Sequence, residues 1–414
     1  MKRIMAVYGT RPEAIKMAPV VAALRASAHF EPLVAVTGQH RSMLDQVNRL
    51  FGIEPDHDLD VLSAGQTLTD ITTRTLKRLQ PVLDKEQPDA VLVQGDTTTT
   101  LAGALAAFYQ KIPVVHLEAG LRTRSTYSPY PEEMNRRLTT RLADLHLAPT
   151  GGARHNLLRE GVDQRSVVVT GNTVIDALLT TLDRTAGRLC DPILRHLETD
   201  PRRVLLVTAH RRESWGRGMR SIGDALARLA AAHPDLLVVF PIHRNPAVRA
   251  AIAPKVEGLD NVRVVEPLDY QGFAHLMNRS HLILTDSGGV QEEGPSLGKP
   301  VLVMRETTER PEGVAAGTVA LVGTDTERIV TEVTRLLQDP TAYTKMAQAV
   351  NPYGDGLAAD RTLKALGHWF GLCDSPADFT GTTAALAAED LPTQWRPHPS
   401  TTPTSGRQPA DGTQ

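Results

Sequence analysis

Cysteine, long apolar runs and an excess of charge of either sign are all scarce in this sequence. Its two cysteines, Cys190 and Cys373, form neither a disulfide framework nor a metal-ligand spacing, which favours a reducing cytoplasm. No apolar run approaches the roughly 18 residues of a membrane span, and the run at residues 4 to 8 is too short for a signal peptide. The formal net charge of −2 gives no general attraction to nucleic acid or to an acidic membrane. We therefore expect a cytoplasmic protein without nucleic-acid or membrane partners.

Sequence motifs for common cofactors and metals are also absent. The loop at residues 9 to 13 (GTRPE) lacks the G-x-G-x-x-G pattern of nicotinamide-binding proteins, and no Walker A motif occurs. His210 and His243 are isolated, and no group of His, Cys and Asp residues has the spacing of a metal site. We therefore expect no cofactor and no metal, and redox chemistry on NAD and ATP hydrolysis are disfavoured.

Short apolar runs, each followed by a polar loop and a helical pattern, dominate the chain instead. After the run at residues 4 to 8, they recur at residues 33–36, 90–93, 114–117, 145–148, 167–170, 204–207, 236–240, 262–265, 282–284 and 301–304. Strands that alternate with helices predict the α/β class, with parallel sheets covered by helices on both faces.

The length and the distribution of these runs predict two domains. A single core stops growing near roughly 250–300 residues, and the chain has 414. A connection at residues 174 to 203 separates two series of runs. Their polar loops all follow strands, and ligands of open α/β sheets bind outside the carboxyl ends of the strands, so we expect two loop edges that face one cleft. Residues 375 to 414 lack apolar periodicity, which predicts a disordered tail.

The stretch Ser287-Gly288-Gly289 is the principal candidate for binding an anion. It follows the apolar run at residues 282–284 and precedes a predicted helix. Two glycines allow a phosphate to approach the backbone, and free amides at a helix N-terminus favour a diphosphate there. Glu293, about one turn further on, is placed to accept hydrogen bonds from a ribose diol. Taken alone, the tripeptide is equally consistent with an ordinary strand-to-helix turn.

Several carboxylates follow predicted strands and are candidates for acid/base chemistry. They are Asp96, Glu118, Glu132 and Glu133, and the nearby positive charges are Arg11, Lys16, His210, Arg212 and Arg310. Taken singly, Asp96 is as consistent with a helix N-cap, and Glu132 with an ordinary acid in a first helical turn. Carboxylates that converge beside a diphosphate would raise one pKa towards neutrality, where acid/base catalysis is effective.

The loops together carry a series of longer motifs. These motifs are residues 9–19 (GTRPEAIKMAP), 95–100 (GDTTTT), 118–123 (EAGLRT), 128–136 (SPYPEEMNR), 171–173 (GNT), 209–214 (AHRRES), 286–298 (DSGGVQEEGPSLG), 307–313 (TTERPEG) and 351–356 (NPYGDG). In this order they resemble the non-hydrolysing UDP-N-acetylglucosamine 2-epimerases. The resemblance covers residues 2 to 370, and it departs from the family pattern at Arg124, Ser125 and Gly294.

The resemblance implies a fold and a reaction. The fold is a glycosyltransferase-B-like pair of Rossmann-like domains, residues 1–170 with 357–372 and residues 171–356, in which the last helix crosses back to the first domain. The reaction is reversible C2 epimerisation of UDP-N-acetylglucosamine (UDP-GlcNAc) to UDP-N-acetylmannosamine (UDP-ManNAc). It eliminates UDP to give a 2-acetamidoglucal intermediate and adds UDP back, without a cofactor. The resemblance also implies a homodimer.

The resemblance also assigns roles residue by residue. The catalytic positions are Asp96, Glu118, Glu132 and His210. The substrate-binding positions are Arg11, Lys16, Leu268, Phe273, Ser287, Gly288, Gly289, Glu293 and Arg310. Within this set, Leu268 and Phe273 match the uracil site, residues 287–289 the diphosphate site, and Glu293 the ribose site.

Two other classes of function remain open. A glycosyltransferase-B-type transferase would share the two-domain cleft but would need an acceptor. A non-catalytic sensor of nucleotide sugars would keep the loop at residues 287–289 and would tolerate the loss of Asp96 or Glu118, and both of these residues are present.

Overall fold

The computed structural model describes residues 1–38, 41–63, 65–123, 125–127, 129–187 and 191–381. Strands and helices alternate through these ranges, and none of their helices has the length and apolar character to cross a membrane. The strands are β1 (Lys2–Tyr8), β2 (Phe30–Val36), β3 (His57–Asp58), β4 (Ala90–Gln94), β5 (Val114–Leu117), β6 (Leu145–Ala148), β7 (Val167–Val169), β8 (Arg203–Thr208), β9 (Leu236–Pro241), β10 (Val262–Val265), β11 (Leu282–Thr285), β12 (Val301–Val303) and β13 (Val319–Leu321). The helices are α1 (Arg11–Ala26), α2 (Arg41–Phe51), α3 (Leu68–Glu86), α4 (Thr98–Tyr109), α5 (Glu132–Leu142), α6 (Gly151–Arg159), α7 (Thr173–Arg184), α8 (Pro192–Thr199), α9 (Arg217–Ala232), α10 (Pro246–Val256), α11 (Tyr270–Arg279), α12 (Gly288–Ser296), α13 (Pro311–Ala315), α14 (Thr326–Gln338), α15 (Pro340–Ala347) and α16 (Ala358–Trp369).

The strands form two parallel sheets with the same winding. The first has the order β3-β2-β1-β4-β5-β6-β7, and the second has the order β10-β9-β8-β11-β12-β13. The strand order reverses between β1 and β4 in the first sheet and between β8 and β11 in the second. In doubly wound folds the ligand crevice lies at this reversal. The structure therefore confirms the expected α/β class with two Rossmann-like sheets in a glycosyltransferase-B-like architecture.

The strands are apolar on both faces because helices cover both sides of each sheet. In β1, Ile4, Ala6 and Tyr8 pack into the core beneath α1 and α2. The alternate residues Met5 and Val7 pack into a second core beneath α3 and α4. Since successive side chains of a strand point to opposite faces, the near-continuous apolar run is the pattern that a doubly covered strand requires.

The chain passes between the two sheets twice, and the crossing segments contact each other. The amide of Asn172 donates to the carbonyl oxygen of Tyr353 (2.7 Å). Asp176 in α7 accepts from the amides of Ala358 (3.3 Å) and Ala359 (2.8 Å) at the start of α16. Helix α16 then packs against α1, beside the first sheet. The described residues up to 381 form one compact unit, so the division of this unit into two domains at the expected boundaries stays a prediction.

The sequence predicts a disordered tail from residue 375 onwards, but the first residues of this segment are bonded to the first sheet. The amide of Phe379 donates to the carbonyl oxygen of Val169 (2.7 Å), and the carboxylate of Asp378 accepts from the amide of Val169 (2.9 Å). These bonds satisfy the open edge of β7, which is the last strand of its sheet. The prediction of disorder is therefore wrong for residues 375–381, and residues 382–414 lie outside the described ranges.

Candidate active site

The candidate site lies at the carboxyl edges of both sheets, where the strand order reverses. In the first sheet, the loops after β1, β4 and β5 carry the candidates. In the second sheet, β8 and β11 are neighbours, and Thr208 lies opposite Thr285. His210 and Ser287 each follow these threonines by two residues, so the register brings them to the same level of the sheet edge.

Buried Glu13 joins the loops that follow β1 and β4. Its carboxylate accepts from the amides of Gly9 (3.0 Å) and Thr10 (2.7 Å) and from the hydroxyl of Thr97 (2.6 Å). Thr10 precedes α1 and Thr97 precedes α4, so one side chain closes the capping box of the first helix and ties it to the second. Glu13 is therefore structural, and it sets the loop that carries Asp96 beside the start of α1.

Glu118, directly after β5, is the most heavily bonded of the expected catalytic residues. It has a left-handed backbone (φ 64°), which is unusual for a residue with a side chain. Its carboxylate accepts from Nζ of Lys16 (2.5 Å), from Nδ2 of Asn172 (2.9 Å) and from Nε2 of Gln94. Burial raises the pKa of Glu118, but Lys16 and the other donors outweigh burial and hold the pKa below its usual value. Glu118 is therefore an ionised carboxylate that faces a lysine.

Glu292 links this group to the second sheet. It is buried and accepts from Nδ2 of Asn172 (2.7 Å) and from Nε of Arg310 (2.5 Å). Burial and the nearby charge of Glu118 raise the pKa of Glu292, although Arg310 and Lys16 oppose this. A continuous chain of contacts thus runs from Lys16 through Glu118, Asn172 and Glu292 to Arg310.

Asn172 and Glu292 were missed by sequence reasoning. Asn172 also accepts from the amide of Val174 (3.1 Å) and caps α7, so its sequence context is that of an ordinary helix cap. The only signal for Glu292 was its position beside Glu293 in the same motif.

The loop after β11 forms an anion-binding arrangement with Arg310. Helix α12 begins at Gly288, and no acceptor for the amides of Gly288 and Gly289 is found in the described part of the chain. A Cβ atom on Gly288 would lie 2.5 Å from Nη1 of Arg310, so the guanidinium packs directly on the glycine backbone. Nη1 also donates to Glu309 (2.8 Å). First-turn amides and an oriented guanidinium therefore converge, as a bound diphosphate requires.

The expected nucleoside positions lie on α11 and α12. Glu293 in α12 accepts from the hydroxyl of Tyr270 (3.2 Å). Burial, followed by the charge of Glu292, raises the pKa of Glu293 to about 8, although Lys16 and Arg11 act in the opposite direction. Leu268 and Phe273, before and within α11, are half-buried against the core of the second sheet. Arg11 has no hydrogen-bond or ion-pair partner among the described residues, so its guanidinium is available to a ligand.

His210, after β8, is held by a carboxylate. Its Nδ1 lies 2.8 Å from Oδ1 of Asp286, and 40% of its side chain is exposed. Asp286 itself is fully buried. The ring of His243 stacks on His210 with centroids 5.9 Å apart. His210 thus presents a partly exposed imidazole next to Asp286, the residue that precedes Ser287.

The pair Glu132-Glu133 divides into two different environments. Glu133 is fully buried and accepts from Nε of Arg137 (2.8 Å) and from the amide of Thr123 (2.9 Å), so it is structural. One carboxylate oxygen of Glu132 is buried and has no partner in the described ranges. Asp96 pairs with Arg136 (2.6 Å), which is one turn further along α5 from Glu132. Ser128, the first residue of its motif, and the divergent Arg124 lie outside the described residues.

Known proteins resemble the chain over most of its length. A family model described as UDP-N-acetylglucosamine 2-epimerase matches residues 22–367. A UDP-N-acetylglucosamine 2-epimerase from Yersinia pestis is 56% identical over 372 residues, covering 88% of this chain and 98% of that protein. One from Escherichia coli K12 is 56% identical over 370 residues, with the same two coverages. The crystal structure of a UDP-GlcNAc 2-epimerase from Neisseria meningitidis bound to UDP-GlcNAc has a TM-score of 0.81 and 50% identity, covering 88% of this chain and 99% of that chain.

Proposed function

The chain belongs to the UDP-N-acetylglucosamine 2-epimerase family, and we propose that C2 of UDP-GlcNAc is inverted in the cleft at the two sheet edges. The reaction reversibly gives UDP-ManNAc. The observation that carries the proposal is the chain of contacts between the Lys16–Glu118 pair of the first sheet and the Arg310 site of the second. This chain of contacts supports a single site that would hold both a sugar and a diphosphate.

The chemistry requires a leaving group because no carbonyl acidifies the proton on C2. When the C1–O bond breaks, its electron pair leaves with UDP and positive charge develops at C1. This charge acidifies C2, so a carboxylate removes the proton and 2-acetamidoglucal forms. A proton then returns to the opposite face of C2 while UDP rejoins C1. No atom is gained or lost, and no oxidant is needed.

We assign the diphosphate to the loop after β11. The free amides of Gly288 and Gly289 and the guanidinium of Arg310 would stabilise the negative charge that develops on the departing UDP. Because Glu292 and Glu309 already orient the guanidinium, little reorganisation is required when the bond breaks.

We assign the proton transfers to the carboxylates of the first sheet. Lys16 keeps Glu118 ionised, which is the state that a base needs. Arg136 holds Asp96, and Glu132 has a buried oxygen for which the described residues offer no partner. The two faces of C2 require two such groups, and this set supplies them.

The nucleoside is assigned to α11 and the start of α12. Leu268 and Phe273 offer apolar surface to uracil. A pKa of about 8 keeps Glu293 mostly protonated at neutral pH, so its carboxyl group both donates to and accepts from ribose hydroxyls.

A homodimer in the cytoplasm completes the proposal. Met134 and Leu138 lie one turn apart on α5, and both are exposed, as are Phe108 and Tyr109 at the end of the neighbouring α4. A cluster of exposed apolar side chains on adjacent helices is typical of a protein interface. Analytical ultracentrifugation of the wild type and of a Leu138→Glu variant tests the dimer: the wild type should sediment as a dimer and the variant should dissociate. A monomeric wild type would contradict the dimer alone.

Incubation of the purified protein with UDP-GlcNAc alone tests the function. NMR should detect UDP-ManNAc without an acceptor, NAD or added metal. A transferase would require an acceptor, and a sensor would bind UDP-GlcNAc without turnover. Binding without epimerisation would therefore overturn the proposal.

A further inference from the structure

Asp286 is bonded in a way that the reaction outlined above does not use. It follows β11 and is fully buried. Its Oδ2 accepts from the amides of His210 (2.7 Å) and Arg211 (2.8 Å), and its Oδ1 lies 2.8 Å from Nδ1 of His210. The two amides and the imidazole all belong to the loop after β8. One carboxylate therefore binds the backbone of this loop through hydrogen bonds and lies within ion-pair distance of the His210 ring.

The position of His210 gives this arrangement a chemical use. Thr208 lies opposite Thr285 in the paired strands, and the ring contacts Asp286, which immediately precedes Ser287 and the loop assigned to the diphosphate. Among the described residues, His243 stacks on the ring, and the guanidinium of Arg211, the next residue in the chain, pairs with Glu309 (3.4 Å). Nδ1 of His243 accepts from the amide of Asn245 (3.1 Å). Asp286 is thus the only carboxylate among the described residues that lies within ion-pair distance of the imidazole.

We propose that Asp286 is a positioning residue for the elimination, which holds His210 in the Nδ1–H form so that its imidazolium donates from Nε2 to the departing diphosphate. This inference rests on the proposed function. A carboxylate only accepts hydrogen bonds, so the proton on Nδ1 is fixed and Nε2 carries a proton only in the imidazolium. When the C1–O bond breaks, the bonding electron pair moves to the diphosphate and the Nε2–H···O bond strengthens. The proton stays on nitrogen, and the charge on the diphosphate is withdrawn again when UDP rejoins C1.

The variant Asp286→Asn separates the role of Asp286 in folding from its role in orienting the His210 ring. The asparagine oxygen still accepts from the two backbone amides, and the asparagine NH₂ then faces Nδ1. That contact forces the neutral ring into the Nε2–H tautomer and removes the charge that stabilises the imidazolium.

NMR of isotope-labelled histidine ring nitrogens tests the inference without any turnover. The His210 signals are assigned by their loss in His210→Gln. The neutral ring should be the Nδ1–H tautomer in the wild type and the Nε2–H tautomer in Asp286→Asn. The matched control is Asp176→Asn, which alters a buried aspartate that accepts two backbone amides but contacts no histidine; its His210 should match the wild type. An Nε2–H tautomer in the wild type would overturn the inference, even if the variant did not fold.

Kinetics supply the second readout. Asp286→Asn should lower kcat by about 100-fold or more. In the His210→Gln background the same change should alter kcat by less than about twofold, because it acts through His210. Additive losses would show that Asp286 serves the fold alone and would overturn the inference. A wild type without epimerase activity would instead refute the proposed function, and the NMR test would still decide the role of Asp286.

Discussion

Glu118 combines several features that the proposed chemistry requires of a catalytic carboxylate. It combines a left-handed backbone with a buried carboxylate and a 2.5 Å contact to Lys16. Backbone strain of this kind persists only where the surrounding structure enforces it, and it is frequent at functional sites. The hydrogen bonds from Lys16 and Asn172 hold the side chain of Glu118 in place and keep its carboxylate ionised.

Removing the charge of Glu118 should therefore impair catalysis more than folding. Glu118→Gln keeps the shape of the side chain, and we expect kcat to fall by about 10²–10⁴-fold if the carboxylate transfers a proton. Asp96→Asn should behave similarly. Circular dichroism should remain that of the wild type. Activity within a few-fold of the wild type would show that these residues are structural.

The guanidinium of Arg310 depends on its planar shape as well as on its charge. Nε contacts Glu292 and Nη1 contacts Glu309, and a lysine has only one nitrogen, so it cannot donate from both of these positions. We expect Arg310→Lys to raise KM for UDP-GlcNAc by about 10- to 100-fold, which is the cost of losing one charge-assisted hydrogen bond. Arg335→Lys, on the surface beside Glu332, is the matched control and should keep the wild-type KM. An unchanged KM in Arg310→Lys would exclude Arg310 from the site.

At the scale of elements, strands β5 and β6 carry two buried histidines that make the fold sensitive to acid. His116 and His146 lie opposite each other, and each has an Nδ1 without a partner in the described chain. Burial above all lowers the pKa of His116 to about 4 and that of His146 to about 3. An exposed histidine in the unfolded chain titrates near ~6.5. The unfolded state therefore binds more protons between these values, and stability should fall as pH drops below about 6.5.

This effect should be measurable by urea unfolding. Each histidine should lower the free energy of unfolding by about 2 kcal/mol between pH 7.5 and pH 5. His146→Leu removes one of the two groups and should flatten the pH dependence by that amount. An identical pH dependence in the variant and the wild type would show that His146 does not set it.

At the scale of the whole molecule, the strands could be predicted because local sequence patterns determine them. Side-chain contacts between residues that are distant in the chain could not be predicted. Strands such as β1 were evident because apolar runs before polar loops have one main interpretation in α/β proteins. The contact of Asn172 with both Glu118 and Glu292 joins residues more than 50 positions apart, and no periodicity reports such a contact. Phe379 was assigned to a disordered tail because composition was averaged over a long segment, which concealed two anchoring residues.

The docked segment at residues 375–381 leads to a prediction about truncation. A chain that ends at residue 381 keeps the bonds of Asp378 and Phe379 to Val169, so we expect its melting temperature to equal that of the full chain. A chain that ends at residue 374 loses these bonds and exposes the edge of β7, and it should melt at a lower temperature. Equal melting temperatures for the two truncated chains would show that the segment contributes nothing to stability.

The central claim is that UDP is eliminated and then added back in one cleft at the edges of both sheets. The most direct test is epimerisation in heavy water of UDP-GlcNAc that carries heavy oxygen in the C1–O–P bridge. We predict that every UDP-ManNAc molecule carries deuterium at C2 and that the label scrambles from the bridge into the non-bridging oxygens of the adjacent phosphate. Retention of the original C2 hydrogen in the product, with the label still in the bridge, would contradict the account.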